Sequence, residues 1–389
     1  MADRAASCPE RERQDLPMKY TFVRGPFMLM ETTAMVSKYV NNLSFNSVLY
    51  KLKLRSGGNV SEKRIRVLKR LQEIMEEVCA GLDRNDPKLQ RYFTQTSTDS
   101  RDLCVAHAMI VSFWSLDHPD LRENARAICR RWAEIQRRGW WLGPESYSFL
   151  VLKEAEGCPG DLFDQICAMD MPVDFQMKLY GALRRFDQTM EEIVEILEPL
   201  SQKLAAIYSR EPWLFESVEE DWREVFRKQP PEEFLRSFLS DGVPWNFEKE
   251  LRIAVSLMYS NRMLYTNEQD APFGLSYEFM YLGSGLPAGG LTRQQEADLD
   301  SIAATLRFLG DRKRLEILQR LDQEPSYGME LADSLGMDSG NMSRTLSQLY
   351  NRGFLKQERE DTRLYYQTDR ESLVSFLKMV ETMLLKGKK

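Results

Sequence analysis

The order of period changes between Asp311 and Gln367 leaves few folds open to this chain. Gly310 closes one helical pattern, and Asp311 is placed to cap the next, which carries Leu315, Leu318 and Leu321 inward and runs out near Asp322. The turn Gln323-Glu324-Pro325 leads to Ser326, a second N-cap. A helix from Tyr327 to Leu335 then presents Met329, Leu331, Ala332 and Leu335 to a core. Gly336-Met337-Asp338 makes a tight turn in which Gly336 can take the left-handed backbone at no steric cost. A third helix is predicted from Ser339 to about Arg352, with Met342, Leu346 and Leu349 at i, i+4 and i+7 on its inner face. After Gly353 the period becomes two. Phe354 to Arg359 and Arg363 to Gln367 read as strands around a Glu360-Asp361-Thr362 turn, and a last helix, about Arg370–Leu385, carries Leu373, Phe376, Leu377, Val380 and Leu384 on one side.

The chemistry lies on the opposite face of the third helix. Ser339, Asn341, Ser343, Arg344, Ser347, Gln348 and Asn351 are rich in donors and acceptors and include no acid. A helix in the major groove of DNA needs such side chains to approach and bond base edges. Arg344 suits a guanine or a phosphate, while Asn341 and Gln348 suit adenine. Arg359 and Arg363 flank the hairpin tip, where they can reach backbone or minor groove.

Asp311-Arg312-Lys313-Arg314-Leu315-Glu316-Ile317-Leu318-Gln319-Arg320-Leu321 has the form D-x-x-R-x-x-I-L-x-x-L. With Met329-Glu330-Leu331-Ala332, Leu335-Gly336, Met342-Ser343-Arg344-Thr345-Leu346, Leu349 and Gly353-Phe354-Leu355 in order, this segment resembles the ArsR-type winged helix-turn-helix regulators of bacteria over about 80 residues. The resemblance implies a sequence-specific DNA-binding transcriptional regulator, a homodimer on a palindromic operator, commonly a repressor released by an effector. Two departures bear on the effector. The family's usual metal thiolates precede the turn, yet no cysteine follows Cys167 and no histidine follows His118, so no metal is expected at those sites. A long amino-terminal region is also absent from the small members. It is similar to that of larger bacterial members, which begin much as Met18-Lys19-Tyr20 does.

The rest of the chain predicts helices. The expected fold class is mostly α, a helical N-terminal domain (18–291) for sensing or dimerisation, followed by a connecting helix and the winged unit (292–389); residues 1–17 are expected to be a disordered leader. Ser61 caps a helix through Ile65, Leu68, Leu71, Ile74, Met75 and Val78; others are expected through Leu103–Leu116, after Pro119 to Gly139, along a long stripe at 173–208 interrupted by Pro199, and at about 216–227, 231–240 and 245–264. Tyr265–Leu291, rich in glycine and aromatics, is expected to be the irregular link between domains, with a connecting helix from about 293 to 309.

Bulk properties narrow the class without deciding it. The net charge of −6 is uneven: from residue 300 onward 15 Lys/Arg face 14 Asp/Glu, so the acidity lies upstream. A near-neutral C-terminal unit also suits a protein-interaction adaptor built on the same fold, the alternative reading. No apolar run approaches a membrane span and the first residues lack an apolar signal core, which points to a cytoplasmic protein. Six dispersed cysteines, at 8, 79, 104, 129, 158 and 167, suit reduced thiols; those from Cys79 to Cys167 are expected to be buried small hydrophobes. Gly283-Ser284-Gly285 with Ala288 fits a dinucleotide pattern only formally, because Pro287 interrupts it and no βαβ unit surrounds it. No catalytic constellation, cofactor motif or metal triad emerges, and His107 and His118 read as packed or surface histidines rather than ligands. The amino-terminal aromatics, Trp140-Trp141, Trp213, Trp222 and Trp245 among them, suit either a small-molecule effector pocket or an ordinary core.

Overall fold

The computed structural model describes residues 19–55, 60–98, 101–144, 146, 150–154, 156–158, 160–169, 171–238, 249–260, 263–266, 275–285, 299–360 and 363–384. A short strand, β1 (Tyr20–Phe22), precedes α1 (Met28–Val40), α2 (Phe45–Arg55), α3 (Glu62–Val78) and α4 (Pro87–Phe93). A small hairpin, β2 (Thr96–Thr98) with β3 (Arg101–Leu103), leads to α5 (Val105–Phe113) and α6 (Leu121–Arg138). A second, β4 (Trp141–Leu142) with β5 (Leu152–Lys153), leads to α7 (Leu162–Cys167), α8 (Val173–Leu183), α9 (Phe186–Arg210), α10 (Trp213–Lys228) and α11 (Pro231–Phe238). Strands β6 (Glu250–Ser256), β7 (Met263–Thr266) and β8 (Tyr277–Gly283) complete this body. The helices start where local chemistry stops the chain from fraying: the side chains of Ser61, Asp86 and Asp120 accept from the first free backbone N–H groups of α3, α4 and α6, and Gly139 ends α6 in the left-handed conformation.

The chain is mostly helical, as expected, but the body also holds a sheet that was not. Four strands form a mixed sheet in the order β1-β6-β8-β7, with β6 parallel to both β1 and β8 and β7 antiparallel to β8. The helix expected at 245–264 is therefore replaced, over its described residues, by β6 and β7. The expected irregular link contains β8, every residue of which is buried. A strand covered on both faces shows no alternation, and its run, apolar or aromatic but for Glu278, cannot be told from a buried helix by periodicity. On one face Phe279 and Tyr281 of β8 meet Trp114 at 5.3 and 4.7 Å between ring centres. Elsewhere on the sheet, Trp222 of α10 donates its indole N–H to the Gly283 carbonyl at 3.3 Å. The stripe at 173–208 is divided between α8 and α9, and α9 continues through Pro199.

One buried carboxylate joins the sheet to the helices. Glu31 of α1 is fully buried and accepts five hydrogen bonds: from the Ser256 and Tyr281 hydroxyls and the Leu257 amide on one oxygen, and from the Tyr208 hydroxyl and the Met258 amide on the other. Burial pushes its pKa up from the ordinary carboxylate value, against the pull of those donors.

The C-terminal unit comprises α12 (Leu299–Leu309), α13 (Arg312–Gln323), β9 (Ser326–Tyr327), α14 (Gly328–Leu335), α15 (Ser339–Asn351), β10 (Leu355–Glu360), β11 (Arg363–Thr368) and α16 (Arg370–Leu384). Its apolar core is separate from that of the body and is built from Ile317, Leu321, Leu331, Met342, Leu346, Leu349, Phe354 and Phe376, among others. Three strands pair antiparallel in the order β10-β11-β9, so the expected hairpin gains a short third strand. Ser326 is in that strand rather than capping a helix, and its hydroxyl donates to Glu330 at 2.6 Å. Leu315 and Met329, expected in the core, are 51% and 67% exposed. Leu306 of α12 and Val374, Leu377 and Leu384 of α16 are exposed as well.

Body and C-terminal unit meet along a polar seam. Arg84 pairs with Glu358 of β10 at 2.6 Å, Asn42 donates to the same carboxylate at 3.3 Å, and Ser47 donates to Asp369 at 2.9 Å in a buried contact. The leader, the start of the expected connecting helix and Trp245 lie outside the described residues.

Candidate nucleic-acid interface

One tight turn and one cap aim α15. Gly336 takes φ 59°, the left-handed value expected, and the chain then enters α15 through Asp338, whose carboxylate accepts from the Asn341 amide N–H at 3.0 Å. Met342, Leu346 and Leu349 are buried at 0%, 1% and 0% exposure, which fixes the rotation of the helix about its axis. Ser339, Asn341, Ser343, Arg344, Ser347 and Gln348 consequently all point away from the core and are exposed. Although α15 packs against α2 of the body, these six remain open to solvent.

The six are not equally free. The Asn341 side-chain amide also donates to Asp338, so part of its hydrogen-bonding capacity is engaged by the cap. Gln348 Oε1 accepts from Arg314 of α13 at 3.5 Å. Among the described residues, Ser339, Ser343, Arg344 and Ser347 have no such tie. On the hairpin, Arg363 is exposed, its guanidinium 4.6 Å from the centre of the Tyr327 ring, which itself packs edge-on against Tyr365. Arg359 stands opposite Leu364 in the ladder beside the hairpin tip.

Periodicity did not single out two further arginines at this face. Arg314 and Arg352 each place the guanidinium 4.0 Å from the centre of the Phe308 ring, and Arg314 donates to the Phe308 carbonyl at 2.7 Å. Arg314 was visible only as a position in the D-x-x-R pattern. Arg352 follows α15 directly and carried no signal of its own.

The body holds a cavity of about 570 Å³ lined by Arg24, Pro26, Tyr208, Phe215, Glu219 and Arg223 among others. A smaller one, about 250 Å³, opens at the seam between Asn42, Glu324, Lys356 and Tyr365. His107, expected to be packed or at the surface, is buried, with Nε2 2.9 Å from the Tyr259 hydroxyl. Cys79 and Cys104 are buried, and burial pushes their thiols up to about 12 and about 11, far from thiolate reactivity. Cys158 and Cys167, expected to be buried, are exposed. Among the described residues no three His, Cys, Asp or Glu side chains converge as ligands, and no helix is long and apolar enough to cross a membrane.

The geometry defines a winged helix-turn-helix unit with an open polar face on its third helix. No protein-family model matches the chain, and no curated protein matches it. Solved structures do. The homodimeric winged helix-turn-helix DNA-binding domain (fragment 1–100) of Mb0332 from Mycobacterium bovis, described as a possible ArsR-family transcriptional regulator, is 27% identical and covers 26% of this chain and 94% of that one, with a TM-score of 0.20. NolR from Sinorhizobium fredii is 27% identical over 22% of this chain and 85% of its own, with a TM-score of 0.19.

Proposed function

We propose that this protein is a sequence-specific DNA-binding transcription regulator of the repressor type. The observation that carries the reading is the solvent-open set Ser339, Asn341, Ser343, Arg344, Ser347 and Gln348, held on a helix whose rotation is fixed by three buried apolar residues. In a two-fold dimer, two such helices enter successive major grooves about 34–36 Å apart on a palindromic operator. The uncovered apolar residues Leu306, Val374, Leu377 and Leu384 on α12 and α16 support homodimerisation. Arg359 and Arg363 hold the backbone or minor groove beside the hairpin. The body, residues 18–291, is the sensing or dimerisation domain, and its cavity of about 570 Å³ is of the size that takes a small-molecule effector. The work is cytoplasmic and needs neither catalysis nor a cofactor.

A gel-shift against DNA upstream of the protein's own gene, repeated over several salt concentrations, tests the reading. Binding that weakens steeply with salt supports it; no binding to any genomic fragment at low salt overturns it. A second reading, a protein-interaction adaptor, is favoured by one observation, the near balance of 15 basic and 14 acidic residues from position 300 onward. A partner that protects Ser339–Arg352 from hydrogen exchange, without any effect of DNA, would decide for it.

A further inference from the structure

Among the described residues of the body, the buried and half-buried arginines come with acids. Arg64 pairs with Asp221 at 2.5 Å, Arg70 with Glu211 at 2.6 Å, Arg122 with Glu198 at 2.5 Å and Arg131 with Asp117 at 3.1 Å. In α13, Glu316 likewise neutralises Arg312 at 2.9 Å and Lys313 at 3.2 Å. Arg314 and Arg352 break this habit. Both are half-buried, both lie against one phenyl ring, and among the described residues neither has a carboxylate within ion-pair distance. Two like charges held about one ring repel each other, and Arg314 also stands in a first helical turn, where the helix dipole disfavours a cation. Packing alone does not call for this: a single guanidinium on Phe308 would give the cation–π contact without the repulsion.

We propose that Arg314 and Arg352 form a clamp for a backbone phosphate of the DNA strand flanking α15, with Phe308 as the plate that holds both guanidiniums in place. An incoming phosphate removes the repulsion and accepts charge-assisted hydrogen bonds from N–H groups that remain available on both side chains. The plate matters because a guanidinium already ordered by stacking loses less freedom on binding than one on a mobile stem. The contact also places Gln348, which Arg314 touches at 3.5 Å, in register with the bases, since phosphate contacts fix the orientation that base contacts then use. The inference rests on the DNA-binding reading and adds to it a site for the phosphodiester backbone.

The test is fluorescence anisotropy of the full chain with a duplex from upstream of its own gene across a potassium chloride series. Replacing Arg314→Gln and Arg352→Gln together should lower the log–log salt slope by about 1, the share of the one phosphate the clamp neutralises, while the ratio of operator to random-sequence affinity stays constant. The Arg314→Lys, Arg352→Lys chain should keep most of the slope. Arginine modification by phenylglyoxal on the unaltered chain gives a reading that depends on no variant: duplex should protect both residues, as mapped by mass spectrometry. An unchanged slope in a folded Gln chain, or equal modification with and without duplex, overturns the clamp while leaving DNA binding standing. An unaltered chain that binds no duplex overturns both.

Discussion

Arg84, in the turn before α4, reaches Glu358 on the wing strand at 2.6 Å while its guanidinium lies 4.1 Å from the centre of the Tyr39 ring. The pair thus ties the end of α1, the approach to α4 and the outer strand of the wing at one point. Glu358 receives Asn42 as well, so two side chains of the body hold one carboxylate of the C-terminal unit. Any change in the body that moves Arg84 is therefore felt by the wing.

Cutting that tie should loosen the seam more than it lowers stability. Glu358 is 37% and Arg84 20% exposed, so the pair contributes about 1 kcal/mol or less. In Arg84→Ala, hydrogen exchange should quicken across 355–360 and 39–43, and the charge-swapped Arg84→Glu, Glu358→Arg chain should recover part of the protection. Exchange at those segments identical to the parent would show that the pair does not hold the seam.

Glu31 makes stability depend on pH in an unusual direction. Its folded-state pKa is raised above the ordinary value of 4.5, so the folded chain binds a proton that the unfolded chain has released. Its contribution is complete below the unfolded pKa and is lost as pH rises through the folded one. Subtracting the thermal midpoints of Glu31→Gln from those of the parent should give a difference that shrinks from pH 5 toward pH 8. Glutamine must also turn an amide NH₂ toward a backbone N–H donor, Leu257 or Met258, a loss of about 1–3 kcal/mol at any pH. A difference independent of pH would remove the titration from Glu31.

Arg344→Ala should relax sequence preference, with a loss of about 1–3 kcal/mol on the preferred operator and little on random duplex. Arg363→Ala should instead weaken both alike. Competition binding with the two duplexes distinguishes them, and equal effects of both variants on every sequence would cancel the division of roles.

Gly283 ends β8 with the carbonyl oxygens of Tyr259 and Ser260 where a Cβ would go. Backbone atoms cannot rotate away as a side chain can, so Gly283→Ala should cost about 3 kcal/mol and lower the melting temperature of the body sharply. Gly81→Ala, which meets nothing within 4 Å, serves as the comparison for a surface glycine in a left-handed turn. Equal melting temperatures for the two would mean that the close approach is not rigid.

Within the C-terminal unit, Leu346→Ala should lose about 2–5 kcal/mol and Met329→Ala almost nothing, since the first is 1% and the second 67% exposed. Chemical denaturation of both variants checks the assignment of inside and outside on which the orientation of α15 depends.

The C-terminal half-fold was legible because its signals are local. Asp311 and Gly336 act on neighbouring backbone, and Met342, Leu346 and Leu349 recur at a helical period. Met329 was misplaced because α14 is short, and a helix of two turns constrains its own face poorly. The sheet of the body was illegible for the opposite reason. Tyr20–Phe22 and Leu251–Ile253 are strand neighbours by virtue of distant parts of the chain, and β8 has no polar face to mark it. Arg314 and Arg352 escaped notice since they meet only through Phe308, on a different helix from either.

The pairing of β1 with β6 has a bearing on how the protein is made. The first strand emerges from the ribosome long before the residues it must lie beside, and β8, the next strand over, comes later still. Until about residue 256 has been synthesised, Tyr20–Phe22 has no such neighbour and must wait unpaired. The carboxy-terminal module, with its own separate core, closes from contiguous sequence. A gene truncated anywhere before β6 would therefore leave the first strand with nothing to lie beside, whatever helices had already formed.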